Sequence, residues 1–139
     1  MKKLIMMVMV MIMVMVIPSS VYAEDGRGYY ENTTRAKELD HQMKALEAQY
    51  DLEESIYDDL GGTDIKVIVT WRPCKGLYLA TVTFRKDGHE IFMMTEVDED
   101  EDEVWVTLDI DGKRACRVDR EDEEWTEYGE KYRDWVNAW

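Results

Sequence analysis

The chain has 139 residues, with 17 Lys and Arg against 31 Asp and Glu, a net charge of −14 at pH 7. That length allows one domain with a modest core, and the acidic balance argues against direct binding to nucleic acid or anionic lipid, which call for a basic surface. The same charge attracts cations, basic peptides and basic proteins.

Residues 1–23 read as an export signal. Lys2 and Lys3 precede an apolar run, Leu4 to Ile17, and Pro18, two serines and Val21-Tyr22-Ala23 follow. A charged start, an apolar centre and a small-residue pattern specify a cleavable secretory signal peptide cut after Ala23. The apolar run is shorter than the roughly 20 residues of a membrane span. The expected location is therefore periplasmic or secreted, with no membrane span after cleavage. Loss of Lys2 and Lys3 takes the net charge from −14 to −16. Residues 24–32 read as a flexible arm, and 33–139 as a single α+β domain.

A long helix is predicted over about 33–60. Asn32, Thr33 or Thr34 supplies a cap, and Ala36, Leu39, Met43, Leu46, Tyr50, Tyr57 and Leu60 recur at helical spacing. Glu53 interrupts that stripe, while Leu52 and Ile56 lie off it. Gly61-Gly62 ends the helix. The stripe is expected to pack on a sheet, although its heptad spacing also permits a weak homodimer.

From Asp64 the period changes to two, giving five predicted strands. Ile65, Val67, Val69 and Trp71 share one face of the first, and Pro73-Cys74-Lys75-Gly76 turns the chain. Tyr78, Ala80, Val82 and Phe84 mark the second. Lys86-Asp87-Gly88 is a hairpin loop with glycine where positive φ is needed. The third strand runs from His89 to about Glu96, the fourth from Val104 to Asp109 and the fifth from Lys113 to Val118. Burial of one face favours a three-residue loop, Ile110-Asp111-Gly112, because this sets Val104, Val106 and Leu108 on the side of Cys116 and Val118. A C-terminal amphipathic helix then carries Trp125, Tyr128, Tyr132, Trp135 and Trp139, with Asp119 to Glu124 at its N-terminus.

The expected fold is thus α+β: a long N-terminal helix, a five-stranded antiparallel meander and a C-terminal amphipathic helix packed on the sheet. The aromatic stripe is read as core rather than as a glycan-stacking platform.

Cys74 and Cys116 form an even pair in an exported chain, which reads as one disulfide. It would close a loop of about 40 residues and contribute roughly 4 kcal/mol. A disulfide needs Cα atoms within about 7 Å. A flat sequential meander holds these positions apart, so the bond predicts a strongly curled sheet or a non-sequential strand order.

The run Asp98-Glu99-Asp100-Glu101-Asp102-Glu103 invites comparison with an EF-hand, but Glu103 stands where glycine is needed and Asp109 where glutamate is needed. It is read as an acidic interaction loop that also guards strand edges. His41 and His89 sit in no zinc-binding spacing, Ser55 lies in no nucleophile elbow, and there is no phosphate-binding glycine loop. No metal site, cofactor or catalytic set is therefore expected. The expected role is a non-catalytic interaction module, of inhibitor or adaptor type, for a basic protein or peptide of the cell envelope. A low-affinity calcium or glycan binder and a self-associating envelope structural protein are the alternatives.

Overall fold

The computed structural model describes residues 34–98, 104–120 and 122–139. The predicted signal peptide at 1–23, the arm at 24–32 and residues 99–103 of the acidic run lie outside these residues. Helix α1 (Thr34–Leu60) leads into strands β1 (Thr63–Arg72), β2 (Leu77–Lys86), β3 (His89–Asp98), β4 (Val104–Ile110), β5 (Lys113–Asp119) and β6 (Asp122–Trp125). Two short helices, α2 (Glu127–Glu130) and α3 (Arg133–Asn137), end the chain. The strands form one open antiparallel sheet in sequential order, β1 to β6.

Register places apolar side chains in rows across one face of the sheet. One row runs Val67, Val82, Met93, Leu108, Cys116, Trp125, and the next runs Val69, Ala80, Thr95, Val106, Val118. These positions are buried, except Trp125, which is half-buried. The sheet's other face carries Ile68, Thr81, Met94, Thr107 and Arg117 in one such row. Alternation therefore acts as predicted: a strand places successive side chains on opposite faces, and burial of one face fixes the register.

Six strands replace the predicted five, because the first residues assigned to the C-terminal helix become β6. Cys116 pairs with Trp125, Arg117 with Glu124 and Val118 with Glu123. Along β6 exposure alternates, with Glu123 and Trp125 half-buried and Asp122 and Glu124 exposed. Pairing with β5 overrides the helical spacing of the aromatics, and the last residues of the chain break into α2 and α3 instead of one helix.

The predicted loop between β4 and β5 is also corrected. Ile110 pairs with Lys113, so the turn is the two-residue Asp111-Gly112 loop, with φ of 52° and 82°. Such a turn suits the right-handed twist of a hairpin. By itself it would set Leu108 opposite Ala115. The register instead shifts between Leu108 and Asp109, so that Asp109 pairs with Arg114 and Leu108 with Cys116. Ala115 is the extra residue of a β-bulge, and Ala115 and Cys116 are both fully buried. The bulge thus brings Cys116 and Val118 onto the core face, the same burial that a three-residue loop was predicted to give.

The predicted disulfide does not form within this fold: Cys74 and Cys116 are both free thiols. Cys74 sits exposed in the turn between β1 and β2, and Cys116 is buried in β5. From β2 to β5 is three strand spacings, about 14 Å at 4.8 Å each, twice the Cα limit for a disulfide. An open sheet in sequential order does not bring them together, so neither the bond nor the closing curl expected with it is matched.

Helix α1 packs on β1 through a different face from the one predicted. Ala45, Ala48, Leu52, Ile56 and Leu60 are buried, whereas Leu39, Met43, Leu46, Tyr50 and Tyr57 are exposed. The two stripes lie roughly 130° apart at 100° per residue. Small Ala45 and Ala48 let the helix approach the sheet, and Leu52 and Ile56 anchor it. Lengths agree: His41 to Leu60 spans about 29 Å, and Trp71 back to Thr63 about 26 Å. At one end His41 stacks on Trp71, with ring centroids 3.8 Å apart, and its Nδ1 lies 2.7 Å from the Tyr78 hydroxyl. At the other end Lys86 Nζ donates to the Leu60 carbonyl at 2.5 Å. Gly62 lets the chain turn tightly there, since a Cβ would meet Ile56 Cγ2 at 2.9 Å and Phe84 Cδ2 at 3.0 Å.

Candidate interaction surface

The outward face of α1 is the largest group of exposed apolar side chains among the described residues. Leu39, Met43, Leu46, Tyr50 and Tyr57 are 52–76% exposed. Their steps are four, three, four and seven, a heptad ladder in which Glu53 occupies the missing rung. A heptad stripe drifts about 20° per repeat around a straight helix. By Leu60, three heptads after Leu39, the same ladder has turned under the helix, and Leu60 is 3% exposed.

Carboxylates flank this stripe. Asp40, Glu47 and Glu54 succeed one another at seven-residue intervals beside it, and Asp51 and Asp58 lie further round on the same side. From Ala45 to Leu60 the helix carries six carboxylates and no Lys or Arg. Lys44, further back, is 8% exposed and pairs with Asp40 at 3.0 Å. Asp51, Glu54, Ser55, Asp58 and Asp59 line a surface depression of about 390 Å³. A long apolar strip beside a row of carboxylates, of which Asp40 is paired with Lys44, is suited to a partner that is apolar along one line and cationic beside it.

Of the acidic loop named from the sequence, only Asp98 falls among the described residues, at the end of β3. The aromatic stripe is half-buried and packs against the core. Trp125 leaves the stripe for β6, and its Nε1 donates to Glu123 Oε1. The others form a chain of rings: Tyr128 to Tyr132 at 5.5 Å, Tyr132 to Trp135 at 6.1 Å, Trp135 to Trp139 at 5.3 Å, and Trp139 to Phe84 in the sheet at 5.9 Å. The Tyr128 hydroxyl donates to the Ile110 carbonyl at 2.8 Å. Removal from water and a hydrogen bond with Tyr132 push its pKa up to about 12.

The histidines each have defined neighbours. His89 Nδ1 lies 2.6 Å from Asp111 Oδ2, and the ring stands edge-on to Tyr132 and Trp135, both at 5.2 Å. Asp111 Oδ1 accepts the Glu90 amide at 2.9 Å. That amide, then the His89 side chain, hold the Asp111 carboxyl below its ordinary pKa. A second depression, of about 320 Å³, is lined by Arg117, Asp119, Asp122 and Glu124 on the sheet's other face. Neither depression contains a histidine or a cysteine. Among the described residues no group of three or more His, Cys, Asp or Glu is placed to hold a metal ion. No described helix is long and apolar enough to cross a membrane.

No protein-family model, curated protein or solved structure matches this chain. The surface must therefore be interpreted from its own chemistry. The strongest periodicity of α1 marks the exposed stripe, not the face that packs on the sheet. The signal for the correct side is the weaker series Ala45, Ala48, Leu52, Ile56, whose small members fit against a sheet.

Proposed function

We propose that this protein is a small acidic, non-catalytic interaction module, of inhibitor or adaptor type, that binds a basic protein or peptide of the cell envelope. The observation that carries the reading is the exposed Leu39–Tyr57 stripe of α1 beside its row of carboxylates. Apolar burial supplies affinity without direction. The charge row speeds encounter and selects the sign of the partner. The export signal read from residues 1–23 supports the envelope location.

The test uses protein expressed from the full sequence as bait in an extract of its own cell envelope, at low and high salt. A basic protein retained at low salt, released at high salt and lost from a Leu46→Glu/Tyr50→Glu variant supports the reading, because screening shortens to about 3 Å at 1 M salt. Capture indifferent to both salt and the variant overturns it. A second reading, a self-associating envelope protein, draws on the heptad spacing of the same stripe and is separated from the first by sedimentation of the full chain.

A further inference from the structure

We infer that the partner segment seated on α1 is itself a basic amphipathic α-helix, with a Lys or Arg facing Glu53. This inference rests on the reading above and adds the secondary structure and polarity of the ligand. Three features of the stripe lead to it.

The first is spacing. Leu39, Met43, Leu46, Tyr50, Glu53 and Tyr57 keep an unbroken four-three alternation over 19 residues, about 27 Å of helix from first to last. This is the pattern into which the side chains of a second helix interlock, each knob seated among four residues. An extended strand, with its repeat of two residues over about 6.6 Å, matches no such ladder.

The second is Glu53. It is half-buried and lies in the seam itself, flanked by Tyr50 and Tyr57 one rung either way. A helix covering the stripe removes that carboxylate from water, which is tolerable when a cation pairs with it and costly otherwise.

The third is the arrangement of charges against self-pairing. In a parallel, in-register pair of α1 helices Glu53 meets Glu53 of the other copy in the seam. In an antiparallel pair the Asp40, Glu47, Glu54 row faces its own copy across the interface. Both arrangements set like charges together, on a chain whose net charge is already −14. A helix bearing Lys or Arg beside its apolar line satisfies Glu53 and the flanking row together.

The probe is a synthetic 21-residue peptide of three heptads. It has Leu at the seam positions, one Lys placed to face Glu53, and Lys at the flanking positions. Its comparators are a scrambled peptide of identical composition without helical period and a version with Glu replacing every Lys. Titration calorimetry against the full chain, with circular dichroism of the mixture, should show the periodic basic peptide binding about tenfold or more tighter than the scrambled one and gaining helix as it binds. Glu53→Lys should weaken that binding about tenfold, and a peptide with Glu at the facing position should regain it.

Equal binding of periodic and scrambled basic peptides would overturn the helical ligand while leaving the basic-partner reading intact. Binding of the Glu-substituted peptide as tight as that of the Lys peptide would overturn both. Sedimentation that shows a dimer of the full chain, dissociated by Leu46→Glu, would make a second copy the occupant and end this inference.

Discussion

Gly129→Ala should be among the most damaging single-methyl additions to this protein. Gly129 lies in α2, directly over the β-bulge, and a Cβ there would stand 1.9 Å from the Ala115 carbonyl oxygen and 2.8 Å from Ala115 Cα. These are backbone atoms of a buried strand, so the short helix must lift instead. Lifting α2 breaks the contacts that Thr126 makes as its N-cap. Its amide donates to the Ala115 carbonyl at 3.0 Å, its hydroxyl to the Arg114 carbonyl at 2.8 Å, and the hydroxyl oxygen accepts the Gly129 amide at 2.9 Å. At about 1 kcal/mol for each net hydrogen bond and about 1 kcal/mol for a cap, the loss is about 3 kcal/mol. For a domain of this size that lowers Tm by roughly 10–20 °C. The control is Gly76→Ala, at φ 64° with nothing within 4 Å of the added methyl, which bears only backbone strain of about 1–2 kcal/mol. Urea denaturation and hydrogen exchange of the β5 and β6 amides check both. Equal losses in the two variants, or less than about 1 kcal/mol at Gly129, would refute the argument that α2 is seated on the bulge.

The same geometry makes three further outcomes testable. Leu46→Glu and Tyr50→Glu should change unfolding free energy by less than about 0.5 kcal/mol, while Leu52→Ala and Ile56→Ala, at fully buried positions, should each lose about 2–5 kcal/mol; the reverse ranking in urea titrations would mean that the predicted face of α1 is the packed one. A thiol assay should count one reactive cysteine in the native protein and two after denaturation. Cys74 is exposed, whereas burial pushes the Cys116 thiol up to about 12, with the Glu123 carboxylate adding to it. A count of zero in both states would restore the disulfide. Asp111→Asn should lower stability near neutral pH, and the difference should fade in acid. The native carboxyl titrates below 3.8, so its contribution is complete above that value and is lost as pH falls through the folded pKa. Asparagine tolerates the φ of 52° there. A difference from wild type that persists unchanged at pH 2 in urea titrations would show that the carboxylate's charge is not what matters.

The strands and most of their faces are legible in the order of residues alone. A sheet with one buried and one solvated face leaves a period-two signature, and no tertiary contact can alter it without moving every side chain to the wrong side. Val67 and Val69, the Tyr78–Phe84 series, and Val106 with Leu108 stand out for that reason, as do the helix stop at Gly61-Gly62 and the hairpin glycine at Gly88. The charge and the residues of the α1 stripe are equally plain. Tertiary packing, by contrast, chose between local solutions of similar worth. α1 carries two apolar stripes, and the one with small residues won the sheet because close approach buries more of Leu52 and Ile56. Trp125 satisfied a helical period, yet pairing with Cys116 drew it into β6. The turn after Ile110 could reach the same burial through a longer loop or a bulge, and the bulge won with Thr126 satisfying its carbonyls. Cys74 and Cys116 suggested a covalent link, and strand order kept them apart. Periodicity records which residues avoid water, whereas the identity of what covers them is settled by packing between distant parts of the chain.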